Sequence, residues 1–210
     1  PWLTGILSVL WIVTLINSFN MLDNMDGLSG GVAAIAAIVL TLMVLSGPNP
    51  EVGSQIFIAL LMLVIVGSLF GFLCYNRPPA RIFMGDAGSY LVGFWMAIGT
   101  LLATYTGTAG QRSHSVIAPL VILAIPLYDT ASVVLIRLWE GRSPFDGDQR
   151  HFSHRLVELG LSKKQSVWTI YLATAACSIS ALLLPRVEWQ GAIVVVMQTL
   201  LILSLICVLE

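Results

Sequence analysis

The sequence predicts an all-α, polytopic integral membrane protein, and three observations carry that expectation. Charged residues make up only 10% of the chain and hydrophobic ones 57%, whereas a soluble domain carries about 25% charged residues. Mean hydropathy is +0.90. The apolar residues also fall in uninterrupted runs near the ~20 residues a helix needs to cross a bilayer.

Seven runs meet that length, at roughly 2–19, 28–46, 55–75, 89–106, 116–139, 166–184 and 190–209. About seven transmembrane helices are therefore expected in one membrane-embedded domain covering residues 1–210, with no internal repeat and no low-complexity linker. The chain starts at Pro1, without a Met and already inside an apolar segment, and shows no signal-peptide pattern; N-terminal truncation is the expectation. Cys74, Cys177 and Cys207 sit inside apolar runs without a CxxC spacing, and are predicted to be buried thiols, neither metal ligands nor disulfides.

The connections alternate in character. Arg77, Arg81, Arg137, Arg142, Arg150, Arg155, Lys163 and Lys164 lie on or beside one side, and Arg112 and Arg186 on the other. The positive-inside rule makes the first side cytoplasmic. Asp23, Asp26, Asp86, Asp146, Asp148, His151 and His154 fall on that same side. Segments far apart in sequence are thus expected to build an active site from cytoplasmic loops.

The first connection, "NSFNMLDNMDGLSGG", places Asn17, Asn20, Asp23 and Asp26 three residues apart. At about 100° per residue in an α-helix, Asn17 and Asp26 point in opposite directions. All four face one ligand only if the helix breaks near Asp23–Asn24, where Asn24 and Gly27 tolerate positive φ. An Asp at the bilayer centre costs about 2.5–3.5 kcal/mol, so these carboxylates belong at the interface or in a wet cleft. The plainer alternative is a polar turn with Asp26 capping the second span; two amides and two carboxylates are more than a turn needs.

The second, "NRPPARIFMGDAGS", puts Asp86 at the start of the fourth span, a natural N-cap position and also a place where a carboxylate holds Mg²⁺ against a phosphate oxygen. Pro78 and Pro79 stiffen the approach, and Asn76 and Phe83 offer an amide and an aromatic face. Asp129 lies well inside the fifth span, three residues after Pro126, which is expected to kink or loosen that helix. It reads either as a charge satisfied by a neighbouring helix or as a functional group.

The long third connection carries "DGDQRHFSHRLVELGLSKKQ". Its "FSHRLVELG" reads as a short helix ended by Gly160, followed by a capping box of Ser162 and Gln165 for the sixth span. His151 and His154, at i, i+3 spacing, stand beside Arg150 and Arg155. The cluster suits a di- or triphosphate; solvated loop histidines and a zinc site are the other readings.

Together, "NSFNMLDNMDGLSGG", "FMGDAGS", "PLYD" and "SPFDGDQRHFSHRL…GLS" occur in the order and spacing of the polyprenyl-phosphate N-acetylhexosamine-1-phosphate transferases (glycosyltransferase family 4), which the chain resembles over nearly its whole length. The resemblance implies a transfer at the cytoplasmic face of the bacterial inner membrane, as the first membrane step of a cell-envelope polysaccharide. Undecaprenyl phosphate attacks the β-phosphorus of a UDP-N-acetylhexosamine, releasing UMP. The implied cofactor is Mg²⁺, with Mn²⁺ as its substitute. The implied partners are the two substrates, the lipid bilayer and a second copy in a homodimer, with no nucleic acid. By motif position, Asp86 and Asp23 look like the metal-holding carboxylates, and Asp23, Asp26, Asp86, His151 and His154 like the catalytic set. Asn17, Asn20, Asn76, Phe83, Arg150 and Arg155 look like substrate-binding residues, with Asn76 and Phe83 on the uridine.

The S-P-F…D-x-x-H-x-x-H-R-L loop is similar to the branch that transfers GlcNAc-1-phosphate, the phospho-MurNAc-pentapeptide transferase being the alternative within the family. Three departures stand out. Asn24 occupies a position usually held by Gly, so the same positive-φ backbone is expected with modest strain. Ser153 stands where a histidine is common. The family's paired Asp-Asp has no counterpart and would precede Pro1. Two rival classes remain: a transporter with Asp129 in its path, and a catalytically incomplete membrane scaffold.

Overall fold

The computed structural model describes residues 2–46, 52–106, 113–143 and 151–209, all helical or irregular. In chain order the elements are α1 (Trp2–Leu22), α2 (Leu28–Leu45), α3 (Val52–Asn76), α4 (Gly85–Thr106), a 3₁₀ turn (Ser113–Ile117), α5 (Ala118–Ile122), α6 (Ala124–Trp139), α7 (Phe152–Glu158), α8 (Lys163–Ala181) and α9 (Trp189–Leu209).

Helix α2 is the centre of the bundle: 72% of its length is buried, against 17% for α1 and 22% for α9. It packs on α3, α8 and α4, while α1 runs along α4 and α6. The outward faces are greasy, with Leu3 and Leu10 on α1, Phe57 and Val64 on α3, and Val194 and Leu201 on α9 all exposed. In water such surface would cost about 25 cal/mol per Å²; lipid removes that cost. The protein is a multi-pass membrane protein.

Five helices among the described residues are long and apolar enough to cross a bilayer: α1, α2, α3, α4 and α9. A sixth crossing exists only if the segments either side of Leu123 count as one broken span, since they meet at 70°. The break lies three residues before Pro126, which takes a place in the first turn of α6, where its missing N–H leaves no bond unmade. The carbonyl of Ile122, four residues before the proline, accepts instead from the Ser178 hydroxyl of α8 at 3.0 Å.

Helix α8 is the remaining predicted span. It starts at Lys163, three residues before the expected boundary, behind the expected capping box: Gln165 N–H donates to Ser162 Oγ, and Ser162 N–H to Gln165 Oε1. Its polar first turn and buried Ser166, Thr174 and Ser178 set it apart from the lipid-facing helices. The short helix α7 ends at Gly160 with φ +100°, as expected. Of the three thiols, Cys177 is buried, whereas Cys74 and Cys207 are exposed on the outer faces of α3 and α9. Apolar runs on peripheral helices face outward as readily as inward.

Small residues decide how closely α1 and α4 meet. A Cβ on Gly93 would stand 2.6 Å from Leu15 O and from Ile16 Cα, so only glycine permits this crossing. Further along, Trp11 Nε1 donates to Thr100 Oγ1 at 3.0 Å. That contact line carries the C-terminal end of α1 to the N-terminal end of α4, where the polar motifs meet.

Candidate functional site

The chain breaks between α1 and α2 over residues 23–27, as the periodicity argument required. The left-handed residue is Gly27, at φ +78°. Asn24 is not left-handed: no non-glycine residue among those described has positive φ, which corrects the expected strain there. Its amide instead donates to Met21 O at 2.9 Å, closing the turn locally. Gly27 is held on both sides of its backbone. Its N–H donates to Asn76 Oδ1 at 2.9 Å, and its carbonyl accepts from the Tyr171 hydroxyl of α8.

Beside that break lie the carboxylates. Asn20 Nδ2 donates to Asp86 Oδ1 and to Ser89 Oγ, both at 3.0 Å, joining α1 to the first turn of α4. Asp86 thus stands inside the helix, its side chain turned to Asn20, instead of preceding the helix as an N-cap. Asp23 accepts from the Gly85 N–H. Burial pushes the Asp23 carboxyl up to about 6; the Gly85 bond pulls the other way, and the negative charge of Asp86 adds to the rise.

Asp26 does not cap α2, which begins without a side-chain cap. Its Oδ2 accepts from Ala80 N–H at 3.0 Å and so ties the α3–α4 connection to the break. Asn76 is buried, with its Nδ2 on Ile82 O at 2.8 Å and its Oδ1 on Gly27. Its amide builds the wall of the site. Phe83 presents an open ring, 77% exposed. Asn17 is exposed and donates back to Val13 O at 2.7 Å, pointing down its own helix and away from the carboxylate group.

The histidine segment arrives from the other side. Asp129 is buried in α6; its Oδ2 lies 3.0 Å from His151 Nδ1 and its Oδ1 accepts from Phe152 N–H at 2.9 Å. The charge left open by the sequence is therefore satisfied by the start of α7, which it holds in place. A carboxylate only accepts, so Nδ1 carries a proton and Nε2 is turned away from Asp129. Tyr128 packs edge-on against Phe152 at 6.5 Å. Ser153 Oγ donates to Asn24 Oδ1 at 2.5 Å, bringing α7 onto the α1–α2 break. Arg155 donates through Nη2 to Ser132 Oγ at 3.2 Å. His154 is held below the usual imidazole range, chiefly by burial and then by His151 and Lys163, against the opposing pull of Asp129 and Glu158. Arg150, with Asp146 and Asp148, lies outside the described residues.

Asn20, Asp23, Asp26, Asn76, Asp86, His151 and His154 therefore gather at one end of the bundle, a distribution unlike the polar groups spread through several spans that a transporter predicts. Sequence reasoning missed Ser89, Ser132 and Tyr171. Ser89 had a signal, three residues after Asp86 on one helical face; the other two had none.

A cation of which kind fits this site is decided by its donors. Among the described residues no three His, Cys, Asp or Glu side chains converge as a zinc site requires. Asp23 and Asp86 are two carboxylates close enough to repel, with no cation partner among the described residues. That set suits Mg²⁺, which takes one or two carboxylates and fills its remaining positions with water and phosphate oxygens.

Comparison with known proteins gives the family likeness. The model of the family described as glycosyl transferase family 4 matches residues 1–104, the stretch that carries every carboxylate of the break and of α4. The chain is 34% identical over 183 residues to the probable undecaprenyl-phosphate N-acetylglucosaminyl 1-phosphate transferase of Bacillus subtilis, covering 87% of this chain and 49% of that protein. It is 39% identical over 101 residues to the undecaprenyl-phosphate alpha-N-acetylglucosaminyl 1-phosphate transferase of Haemophilus influenzae, covering 48% and 28% respectively. With the decaprenyl-phosphate N-acetylglucosaminephosphotransferase of Mycolicibacterium smegmatis it shares 33% over 124 residues, covering 54% and 30%. The chain thus spans about half the length of the first of these relatives and less than a third of the others.

Proposed function

We propose that this chain, which belongs to glycosyl transferase family 4, carries the larger part of the active site of an enzyme that moves GlcNAc-1-phosphate from UDP-GlcNAc to undecaprenyl phosphate. The transfer takes place at the cytoplasmic face of the bacterial inner membrane. One observation carries the reading: two carboxylates, Asp23 and Asp86, share the end of a membrane bundle with two histidines from a segment far along the chain from both. The names of the relatives support the undecaprenyl-phosphate acceptor and the N-acetylglucosaminyl 1-phosphate group; the UDP carrier is part of the proposal.

An oxygen of the lipid phosphate attacks the β-phosphorus of the nucleotide sugar. A new bond forms between that oxygen and the β-phosphorus, the bond from the β-phosphorus to the oxygen bridging the two phosphorus atoms breaks, and the bridging oxygen leaves on the α-phosphorus as part of UMP. The attacking phosphate is largely ionised at neutral pH, so no base is needed to remove a proton from it. Catalysis is then alignment and charge neutralisation. Asp23 and Asp86 hold Mg²⁺, whose charge, when it is bound, offsets that of the pyrophosphate oxygens. Asn20 keeps Asp86 aimed, through the bond described above. His151, His154 and Arg155 meet the donor's phosphates, with the imidazole of His151 oriented by Asp129. Phe83 offers its ring to the uracil, and Asn76 and Asp26 hold the connection that carries Phe83.

The test uses the full-length protein in membranes, supplied with undecaprenyl phosphate, Mg²⁺ and UDP-GlcNAc, with UMP as the readout. UMP that appears only with both lipid and metal supports the transfer. No UMP from well-folded protein with any UDP-N-acetylhexosamine overturns it.

A further inference from the structure

We infer that Ser153 and Asn24 form a clasp that sets the histidine helix over the carboxylate break, which makes both of them positioning residues for the transfer; what passes through the clasped cleft rests on the function proposed above. The two residues stand 129 positions apart, and Ser153 Oγ donates to Asn24 Oδ1 at 2.5 Å. Ser153 is 1% exposed, so no water competes for its hydroxyl.

Chemistry fixes the orientation of the Asn24 amide. Its Nδ2 faces Met21 O at 2.9 Å, and a carbonyl can only accept, so the amide oxygen must be the end that meets Ser153. Asn24 is therefore tied to α1 at one end and to α7 at the other. Neither bond needs a ligand to form.

The clasp completes the immobilisation of three consecutive residues. His151 and Phe152 are bound by Asp129 from α6, and Ser153 is bound by Asn24 from the α1–α2 break. Asp129 and the Arg155–Ser132 bond hold α7 to α6, and Phe152 and Leu156 seat it in the core. Among the described residues, the Ser153–Asn24 bond is what ties α7 to the α1–α2 break. His154 follows Ser153 and Asp23 precedes Asn24 in the chain, so this hydrogen bond ties the segment that carries the imidazole to the break that carries the carboxylate. Pre-organised spacing of this kind matters most for a reaction that depends on alignment.

The experiment compares Ser153→Ala, Asn24→Ala, the double variant and Ser153→Thr in the full-length protein. The readout is UMP release at varied UDP-GlcNAc and varied undecaprenyl phosphate. Each alanine variant lowers kcat/KM for the nucleotide sugar about tenfold, the scale of one buried hydrogen bond, and leaves KM for the lipid unchanged. The double variant is no slower than the slower single variant, because a clasp is lost only once. Ser153→Thr, which keeps the hydroxyl, recovers most of the rate. Losses that multiply in the double variant overturn the clasp, as does an equal effect on both substrates.

A second measurement needs no turnover. Amide hydrogen exchange over residues 154–158, without substrates, speeds up to the same degree in Ser153→Ala and Asn24→Ala. Unchanged exchange in Ser153→Ala alone refutes the clasp. Absence of UMP from the wild type would refute the function, while exchange would still decide the clasp.

Discussion

Asp129 and His151 are joined at 3.0 Å between the carboxylate Oδ2 and the imidazole Nδ1, both nearly fully buried, with the second carboxylate oxygen on the N–H of Phe152. One buried acid thus fixes the tautomer of a histidine and starts the helix that carries the next one. Asp129→Asn keeps an oxygen for Phe152 but turns an amide N–H toward His151, forcing the ring proton to Nε2. Turnover falls about ten- to hundredfold, the range expected for losing a hydrogen bond to a charged group, while the protein still inserts. UMP release by purified variant of wild-type expression level is the check; an unaltered rate removes the orienting role.

Asp86→Asn abolishes Mg²⁺-dependent turnover and leaves the fold intact, because Asn20 can still bond the amide oxygen. Thermal unfolding supplies an independent readout. Added Mg²⁺ raises the Tm of the wild type by binding the folded state and does not raise that of the variant. A variant that still responds to the metal excludes Asp86 as a ligand.

His154 makes stability depend on pH. Its pKa in the folded protein lies below the unfolded value of 6.5, through burial, His151 and Lys163. The unfolded state therefore binds the proton more readily, so the contribution is intact above about pH 6.5 and stability is lost as pH falls below it. Asp129 and Glu158 oppose this without reversing it. Between about pH 7 and pH 5, the wild type loses Tm more steeply than His154→Gln, and Lys163→Ala shallows the wild-type slope. Parallel curves for all three would contradict the assignment.

Gly93→Val drives α1 away from α4, because the glycine Cβ position already falls 2.6 Å from Leu15 O. Overpacking of this kind costs about 1–3 kcal/mol, and it separates Asn20 from Asp86 and Ser89. Both Tm and turnover drop. Gly67→Ala is the control, since a Cβ there meets nothing within 4 Å, and it leaves both unchanged.

Much of the site was readable before any coordinates, for identifiable reasons. The i, i+3 spacing of Asn20, Asp23 and Asp26 cannot serve one site from a continuous α-helix, so a break near residue 24 followed from geometry alone; the structure places the left-handed residue at Gly27. Ser162 and Gln165 announced the start of α8, and Gly160 the end of α7. Local chemistry of this kind is carried by residues a few positions apart. The pairing of Asn24 with Ser153 was not readable, although both had been singled out as departures from the family pattern. They touch only because α7 folds back across the break.

By itself the sequence determined that this protein is a helical membrane protein and which of its loops are polar and chemically equipped, because run length, charge placement and turn chemistry are local and additive along the chain. Tertiary structure decided the rest: the bend at Leu123, the partner of Asp129, the two-sided grip on Gly27, and which amides build the site and which face it. Those outcomes depend on which buried polar group finds which partner across the bundle. In a medium without water every such group must find one, and the pairing is settled by packing distance between helices, a quantity that no stretch of sequence contains.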